Sequence, residues 1–545
     1  MKLNRHLLLI ILIAIPAVLS FFHSGYFTSH DGEWMVIRFS DFHRSLADGQ
    51  FPVRFAGRLN FGYGYPVFNF LYPGTFYLAE FFHLLKFNFV DSIKLLFITS
   101  YILSGMCMYL FAKEWVGKTQ AFVAAVLYLY TPYRFVDMYV RGSLGESVSF
   151  LFIPLVFLAV SKIFRSHNYV WVCFGAIGLL GLITTHNVIA YLFLPIIVLF
   201  GAILVLLKTN NKFFYKDFLL LLILGLGLSC FFWLPAVLEK KYTIFDQTVI
   251  ADYAKNFPLF KELIFPSWGF GLSMPGKTNS MSFQLGIINL ISLLLTAVLL
   301  ITKKITKYFK IAVFFFIVTL VAIFFLSQVS RFFWNFIPGL TLIQFPWRIL
   351  SVITFTTSIL LGFLLQQAKN KTALFLAIFI TALCVLFNIT YLKPHFFINR
   401  GEGFYSTNDD TTTVKDEYLP IKALNLPRKR PDSKIEMQKP KGQILNLISK
   451  SNDISFEYNG ETNNLLINTV YFPGWEALIN NHVQQIQVSP LGLMMIPVDS
   501  GRSVVVLKFK ESKVRKIADT ISMLSFFAIL WLLFVSKINK PEEKF

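Results

Sequence analysis

The sequence predicts a polytopic α-helical membrane protein that carries an extracytoplasmic antiparallel β-sandwich before its last helix. Two observations predict the membrane part. Of the 545 residues, 55% are hydrophobic and only 15% are charged, and apolar runs of about 17–25 residues, each able to cross a bilayer, recur along most of the chain. A third observation, a period-two apolar pattern at about 454–512, predicts the sandwich.

The first apolar run, residues 1–22, begins with Lys2 and Arg5, and no small-residue cleavage site follows it. We therefore expect a retained signal anchor whose basic end is cytoplasmic. Window length alone places the further spans, about twelve with the first, at 93–112, 119–133, 147–164, 169–185, 188–207, 217–238, 285–302, 310–327, 346–366, 372–391 and 517–536.

Basic residues follow these spans in alternation, as the positive-inside rule requires of cytoplasmic loops. Each predicted inner loop is basic, and so is the C-terminal tail: Lys113 and Lys118; Lys162 and Arg165; Lys208, Lys212 and Lys216; Lys303, Lys304, Lys307 and Lys310; Lys369 and Lys371; Lys537, Lys540 and Lys544. Both termini are thus predicted to be cytoplasmic. The net charge of +20 is an orientation signal, and we expect no nucleic-acid partner.

Residues 66–85 are apolar enough to suggest another span. A crossing there would place every later basic loop outside, and Pro66, Pro73, Glu80 and His83 interrupt the run. We therefore expect a re-entrant or interfacial segment, whose backbone is satisfied by protein or water.

This topology divides the chain into three parts. Residues 1–391 form a multi-span membrane domain with an outer loop at 23–92 that holds the candidate active site. Residues 392–516 form an extracytoplasmic domain, irregular at first and a β-sandwich at about 454–512. Residues 517–545 form the last transmembrane helix and a cytoplasmic tail.

Charged residues gather directly after the first span, between Ser29 and Pro73. This stretch holds Asp31, Glu33, Arg38, Asp41, His43, Arg44, Asp48, Arg54 and Arg58. So many charges beside a span must lie at the lipid–water boundary or line a polar cavity. The stretch is either a solvated loop or an active site at the membrane surface.

A series of motifs adds a resemblance. HDG follows the first span, and then come DGQFPVRFAGRLNFGYGYPVFNFLYP, YVRGSLGE at 139–146, THN at 185–187, QFPWR at 344–348, DEYLP at 416–420 and YFPGWEALIN at 471–480. In this order they resemble the bacterial 6-pyruvoyl-tetrahydropterin synthase-related integral membrane proteins of the type C glycosyltransferase superfamily. The resemblance covers nearly the whole chain, although it shows no zinc-binding histidine triad of the soluble pterin enzyme.

The resemblance implies a type C glycosyltransferase-like fold and glycosyl transfer at the outer membrane face from a polyprenyl-phosphate-linked sugar. In that superfamily an acidic residue of the first outer loop serves as catalytic base or metal ligand, and Asp31 matches it, with Glu33 close behind. Gly32 separates this pair, whereas type C enzymes often have adjacent acids, so the division of roles stays open. The resemblance also favours contact of Arg348 with a lipid phosphate.

The chemistry of transfer asks for the same residue types. A carboxylate must take the acceptor's proton, and arginines suit the leaving phosphate because they grip two oxygens at once. Asp31 is the candidate base, and its alternative role is the N-cap of the following helix. Glu33 is the second catalytic candidate, and its alternative role is a first-turn acid.

The candidate substrate-binding residues are Arg38, His43, Arg54, Arg58, Arg141, Glu146, His186 and Arg348. The structural alternatives are ion pairing for Arg38, Arg141 and Glu146, contact with lipid headgroups for Arg54 and Arg58, a satisfied interfacial histidine for His186 and a snorkelling side chain for Arg348. Asp31, Asp41 and His43 could together hold a divalent metal, but such spacing is common by chance, so metal dependence is unknown.

The sequence therefore predicts a membrane glycosyltransferase whose partners are membrane lipid and a polyprenyl-phosphate sugar donor. A transporter or flippase of lipid-linked sugars is the alternative, but ionisable residues are scarce at mid-depth in the predicted spans. A non-catalytic relative that serves envelope assembly is a third possibility.

Overall fold

Helices dominate the computed structural model, which describes residues 5–207, 211–248, 251–305, 308–337, 339–439 and 441–538. In chain order they are α1 (Arg5–Val18), α2 (Gly32–Ala47), α3 (Gly74–Leu84), α4 (Phe89–Lys113), α5 (Lys118–Leu129), α6 (Pro132–Phe135), α7 (Leu144–Arg165), α8 (Tyr169–Thr185), α9 (Asn187–Val205), α10 (Phe214–Leu228), α11 (Cys230–Glu239), α12 (Phe260–Ile264), α13 (Ile287–Ile301), α14 (Phe309–Leu326), α15 (Arg331–Phe336), α16 (Leu350–Leu365), α17 (Asn370–Asn388), α18 (Glu402–Thr407) and α19 (Lys513–Ile538). A π-helix, Val136–Arg141, follows α6.

A helix lies at each of the twelve segments predicted to span the membrane, but not all have spanning length. Among the described residues, eight helices are long and apolar enough, and α10 with α11 forms a ninth candidate bent by 64°. The other three, α5, α8 and α13, have 12, 17 and 15 residues. At a rise of about 1.5 Å per residue, α5 measures only about 18 Å. The chain is a multi-pass membrane protein with eight or nine full-length candidate spans.

The predicted inner loops contact one another. Glu114 pairs with Lys162 at 2.7 Å and with Arg165 at 3.1 Å, and His167 bonds to Asp217 at 2.8 Å. The predicted outer loops meet at the site described below, so the two sets of loops occupy separate ends of the bundle. Which end is cytoplasmic stays a prediction, and five of its supporting residues lie outside the described residues: Lys2, Lys208, Lys307, Lys540 and Lys544.

Residues 66–85 form a short 3₁₀ turn, Val67–Asn69, and the eleven-residue helix α3. A helix of this length measures roughly 16 Å, about half of a bilayer's hydrocarbon core. Phe76 is buried, whereas the apolar side chains of Phe81 and Leu84 are exposed. The helix is too short to cross a bilayer by itself, and its interfacial placement stays a prediction.

Eleven strands complete the fold: β1 (Tyr26–Phe27), β2 (Phe397–Ile398), β3 (Ile435–Met437), β4 (Gly442–Ser449), β5 (Asp453–Gly460), β6 (Asn463–Val470), β7 (Trp475–Ile479), β8 (His482–Gln484), β9 (Gln487–Val488), β10 (Leu493–Val498) and β11 (Gly501–Phe509). Beyond the β1–β2 pair they form two antiparallel sheets, in the orders β3-β6-β10-β9 and β4-β5-β11-β7-β8.

The sheets occupy the predicted region but begin earlier, because β3 and β4 precede residue 454. Alternating burial along β5 and β11 gives each strand one buried face, as the period-two pattern predicts. Face-to-face packing of the two sheets as a sandwich stays a prediction. The β1–β2 pair, with Tyr26 opposite Ile398, joins the predicted outer loop to the start of the predicted extracytoplasmic domain.

Candidate active site

Asp31 occupies the N-cap position of α2, but its side chain does not cap the helix. The backbone N–H of Gly32 donates to Ser29 Oγ instead, at 3.2 Å. In the part of the chain that the structure describes, the half-buried Asp31 carboxylate has no hydrogen-bond or ion-pair partner. The cap role is therefore filled by Ser29, which leaves the Asp31 charge available to a ligand.

Backbone contacts fix Asp31 beside the segment 136–142. The N–H of Asp31 donates to Arg141 O at 2.8 Å, and that of His30 donates to Val140 O at 3.1 Å. Gly142 ends the π-helix with φ of +61°, and a Cβ there would come within 2.5 Å of Ser29 Oγ. Only glycine fits both this conformation and this approach. The YVRGSLGE motif thereby docks against HDG.

Arg141 lies at the centre of a buried ion cluster. Its Nη1 donates to Glu146 Oε2 at 2.6 Å and to Asp137, and its guanidinium covers the Trp347 ring at 4.5 Å from the centroid. Tyr133 donates to the other Glu146 oxygen at 2.5 Å. Burial raises the pKa of Asp137 well above its usual range, and neighbouring Glu146 adds to the effect. The Arg141 charge is therefore already compensated by protein groups.

Arg348 differs, because no acidic side chain pairs with it among the described residues. Its Nη1 donates to Ile343 O and to Gln344 Oε1, both at 3.0 Å, and its buried Nε has no partner there. Gln344 adopts φ of +65°, which brings its side chain to the guanidinium. Arg141 and Glu146 lie within electrostatic reach of Arg348.

His186 separates α8 from α9 and caps α9, since its Nδ1 accepts from Ile189 N at 3.2 Å. The Tyr72 ring stacks on it with centroids 5.0 Å apart. Burial lowers the pKa of His186 to about 3. His186 is therefore a neutral ring at physiological pH, suited to packing and hydrogen bonding and unable to supply positive charge.

Tyr72 is the central residue that the sequence did not single out. It is buried, and it lies within electrostatic reach of Asp31, Arg38, Arg141 and Arg348. Its only sequence signal was its place in the NFLYP motif after the charged stretch. Tyr133 and Asp137 were missed as well, because each lies in a run of apolar and aromatic residues.

Arg38 reaches the same region from α2 and is held by the segment that precedes the two sheets. Its Nε donates to Thr412 Oγ1 at 2.9 Å, and its Nη2 donates to Thr412 O. The predicted pair with Asp41 does not form. Among the described residues, Arg38 has no acidic partner, so it resembles Arg348 in carrying an uncompensated charge.

The structure gives the other four predicted site residues different surroundings. Glu33 pairs with Arg400 at 3.2 Å and accepts from Tyr405 at 3.2 Å. His43 bonds to Glu80 at 2.9 Å. Arg54 and Arg58 bind protein groups, which are Glu511, Asp519 and Phe231 O for Arg54 and Asp41, Ile37 O and Ser40 for Arg58.

The three residues considered as metal ligands are not brought together. Asp41 is buried against Arg58, 3.7 Å away, and burial raises its pKa despite that arginine, while His43 faces Glu80. Across the described ranges, no group of three or more His, Cys, Asp or Glu side chains is arranged to hold a metal ion.

The chain was compared with known proteins. No protein-family model matches it. An uncharacterized protein of Lactococcus lactis subsp. cremoris (strain MG1363) is 23% identical over 259 residues, which are 46% of this chain and 42% of that protein. Nothing in these comparisons supports the pterin-synthase-related family.

Among solved structures, the arabinofuranosyltransferase AftD from Mycobacteria has a TM-score of 0.49 and 13% identity, covering 74% of this chain and 28% of its own. The Archaeoglobus fulgidus oligosaccharyltransferase AglB, solved with an inhibitory peptide and a dolichol-phosphate, has a TM-score of 0.44 and 12% identity, covering 74% and 56%. The chain spans less than two thirds of the length of each of these proteins. Scores this low carry no functional argument.

Proposed function

We propose that this protein is a membrane glycosyltransferase that transfers a sugar from a polyprenyl-phosphate donor at the extracytoplasmic face. One observation carries the proposal: the Asp31 carboxylate and the Arg38 and Arg348 guanidinium groups, which have no acidic or basic partners among the described residues, all lie within electrostatic reach of the buried Tyr72. A carboxylate and uncompensated arginines in one place match a reaction that needs a base and a phosphate site.

In the proposed reaction, Asp31 accepts the proton of the acceptor hydroxyl as its oxygen bonds to the anomeric carbon of the donor. The bond between that carbon and the phosphate oxygen breaks, and polyprenyl phosphate leaves with the electron pair. Arg348 and Arg38 stabilise the charge that develops on the phosphate. The reaction balances without a further reactant.

Arg141 and Glu146 are proposed as positioning residues. Their mutual ion pair and the contact of Arg141 with Trp347 hold the loop that presents Arg348. Glu33 is proposed as a supporting acid two residues along the chain from Asp31, since its own carboxylate is occupied by Arg400 and Tyr405.

The direct test is a transfer assay on the purified full-length chain with a panel of synthetic polyprenyl-phosphate sugars and an envelope glycan acceptor. We expect transfer from at least one donor, and its loss in Asp31→Asn. Parallel proteoliposomes would report movement of a fluorescent lipid-linked sugar between leaflets. Leaflet movement without transfer, retained in Asp31→Asn, would overturn the proposal in favour of a flippase.

The proposed face has its own test. Leu85 and Lys304 are exposed at predicted outer and inner loops, and we expect Leu85→Cys and Lys304→Cys to react with an impermeant thiol reagent from opposite sides of the cell membrane. Three of the four native cysteines are buried, which keeps the background low. Labelling of both positions from the same side would contradict the topology.

A further inference from the structure

A small cavity lies between the outer loop and the two sheets, outside the Asp31 site. Its volume is about 40 Å³, room for roughly three water-sized groups. Arg44 lines it from the loop, and Lys434, Lys450, Thr469 and Trp475 line it from the β region. The proposed glycosyl transfer uses none of these residues.

Three cations border this cavity, and none of them has a counter-ion among the described residues. The half-buried Lys434 ammonium donates to two neutral carbonyls, Gly62 O and Asn468 O, both at 2.9 Å, so one of its three N–H groups remains. Arg44 and Lys450 are exposed, and neither has an acidic partner among the described residues. The nearby Asp48 carboxylate accepts from Ser451 N at 2.8 Å and pairs with none of the three.

Two hydrogen-bonding groups of the lining are also unused. Trp475 Nε1 and Thr469 Oγ1 are buried and have no partner in the part of the chain that the structure describes, and both residues are at most 4% exposed. An indole N–H can only donate. Leaving a buried donor unpaired costs about 1–3 kcal/mol, so these groups indicate a ligand rich in acceptor oxygens.

Two regions of the chain, the predicted outer loop and the two sheets, supply the walls of this cavity. Trp475 starts β7, and its ring packs edge-on against Phe55 of the outer loop, with centroids 5.7 Å apart. Gly57 lies so close to Ser451 that a Cβ would approach its Cα to 2.7 Å. Packing between the loop and the sheet therefore fixes the walls of the cavity.

We propose that this cavity is a phosphate-binding site, in which Trp475, Thr469 and Lys434 hold the oxygens of one phosphate group and Arg44 and Lys450 neutralise it at the mouth. Donors from several directions suit the three free oxygens of a phosphate monoester better than the two of a carboxylate. The phosphate could be soluble or part of a lipid headgroup, and these sources share the chemistry. The inference does not rest on the proposed transferase activity.

Equilibrium dialysis of the full-length protein in detergent, with radiolabelled inorganic phosphate, tests the site. We expect saturable binding that weakens about tenfold or more in Arg44→Gln and in Trp475→Phe, since each variant removes a donor to a charged group. Arg44 is exposed, so its variant should fold normally. Lys439→Gln removes one exposed charge of the same domain away from the cavity and is the matched control.

Competition by dihexanoyl phosphatidic acid then separates the two sources. Competition at a lower concentration than inorganic phosphate would indicate a lipid headgroup, and weaker competition would indicate a soluble ligand. Absence of saturable phosphate binding would overturn the proposal. So would binding that Arg44→Gln and Trp475→Phe leave equal to that of Lys439→Gln.

Discussion

Two groups of arginines at the predicted outer end of the molecule differ in their partners. Around Asp31, Arg38 and Arg348 donate mainly to uncharged oxygens. At the start of α19, Arg54 binds Asp519 at 2.7 Å and Glu511 at 3.4 Å, and Arg515 binds Glu239 at 2.9 Å. Both groups look alike in the sequence, and only the second is charge-compensated.

The second group also provides a hydrogen-bond donor to a backbone carbonyl that lacks its helical partner. Pro235 has no N–H to give to Phe231 O four residues earlier, and Arg54 Nη1 donates to that carbonyl at 2.5 Å. Asn69 and Ser512 complete the contacts of Glu239 at 2.8 and 2.5 Å. Complete pairing of the charges indicates that these residues join the outer loop, α11 and α19, whereas incomplete pairing of charges around Asp31 leaves charge for a ligand.

Asp31→Asn tests the incomplete group with the largest expected effect. General-base assistance is worth about 10²–10⁴ in rate, so turnover should fall by at least that order while donor affinity and thermal stability change little. Asparagine also occupies N-cap positions well. Turnover, donor affinity and melting temperature of the purified variant are the measurements.

Glu33→Gln is the comparator for that variant, because its carboxylate is only two residues away in the sequence and is already paired. We expect a smaller loss of turnover there. Near-normal turnover in a folded Asp31→Asn protein, or equal losses in both variants, would remove the distinction between a base and a supporting acid.

Arg515→Met tests the complete group. Removing one partner from a buried ion pair leaves Glu239 uncompensated, which typically costs about 3–5 kcal/mol of unfolding free energy. We expect a strongly lowered melting temperature, with donor affinity per folded molecule retained. Lys516→Met, one residue on and exposed, is the control and should melt like wild type. A stable Arg515→Met protein that no longer binds donor would instead place this group in the binding machinery.

Arg348→Ala should act on binding first. Hydrogen bonds to charged groups contribute about 1.5–3 kcal/mol, which corresponds to a loss of donor affinity of about 10- to 100-fold. Arg348→Lys keeps the charge without the planar fork and should recover part of the affinity. Unchanged donor affinity in Arg348→Ala would show that Arg348 binds no donor and only snorkels to the membrane surface.

The sequence predicted the positions of helices and strands better than the side-chain contacts among them. Apolar runs located all twelve helical segments, and period-two alternation located six strand regions from residue 454 on, because both patterns are local. It missed β4, whose residues are mostly exposed and show no alternation. It could not separate Arg54 from Arg348, because Arg54 meets Glu511 across 457 residues of sequence. Tyr72 was missed because a tyrosine in an apolar run carries no polar signal.

The proposed phosphate cavity is lined by a third set of unpaired charges. The pH dependence of anion binding at this cavity is the smallest of the expected effects and the most specific to one residue. Burial, and secondarily Arg44, lowers the pKa of Lys434 to about 8. The groups that surround it are Arg44, Lys450 and the carbonyls of Gly62 and Asn468, with Glu436 reached through Asn468 Nδ2 at 2.7 Å. Lys434 is charged below this pKa and neutral above it, so anion affinity should fall as pH rises.

Sulfate is the suitable probe, because its charge stays constant over this range whereas phosphate titrates. Between pH 7 and pH 9 the protonated fraction of a group with a pKa of about 8 falls roughly tenfold, and sulfate affinity should fall by a similar factor. Lys434→Met should bind weakly and with a flat profile, while Lys439→Gln should retain the wild-type slope. A wild-type profile as flat as that of Lys434→Met would show that Lys434 does not contact the anion. The unpaired charges at this cavity would then reflect only the packing of the loop against the sheet.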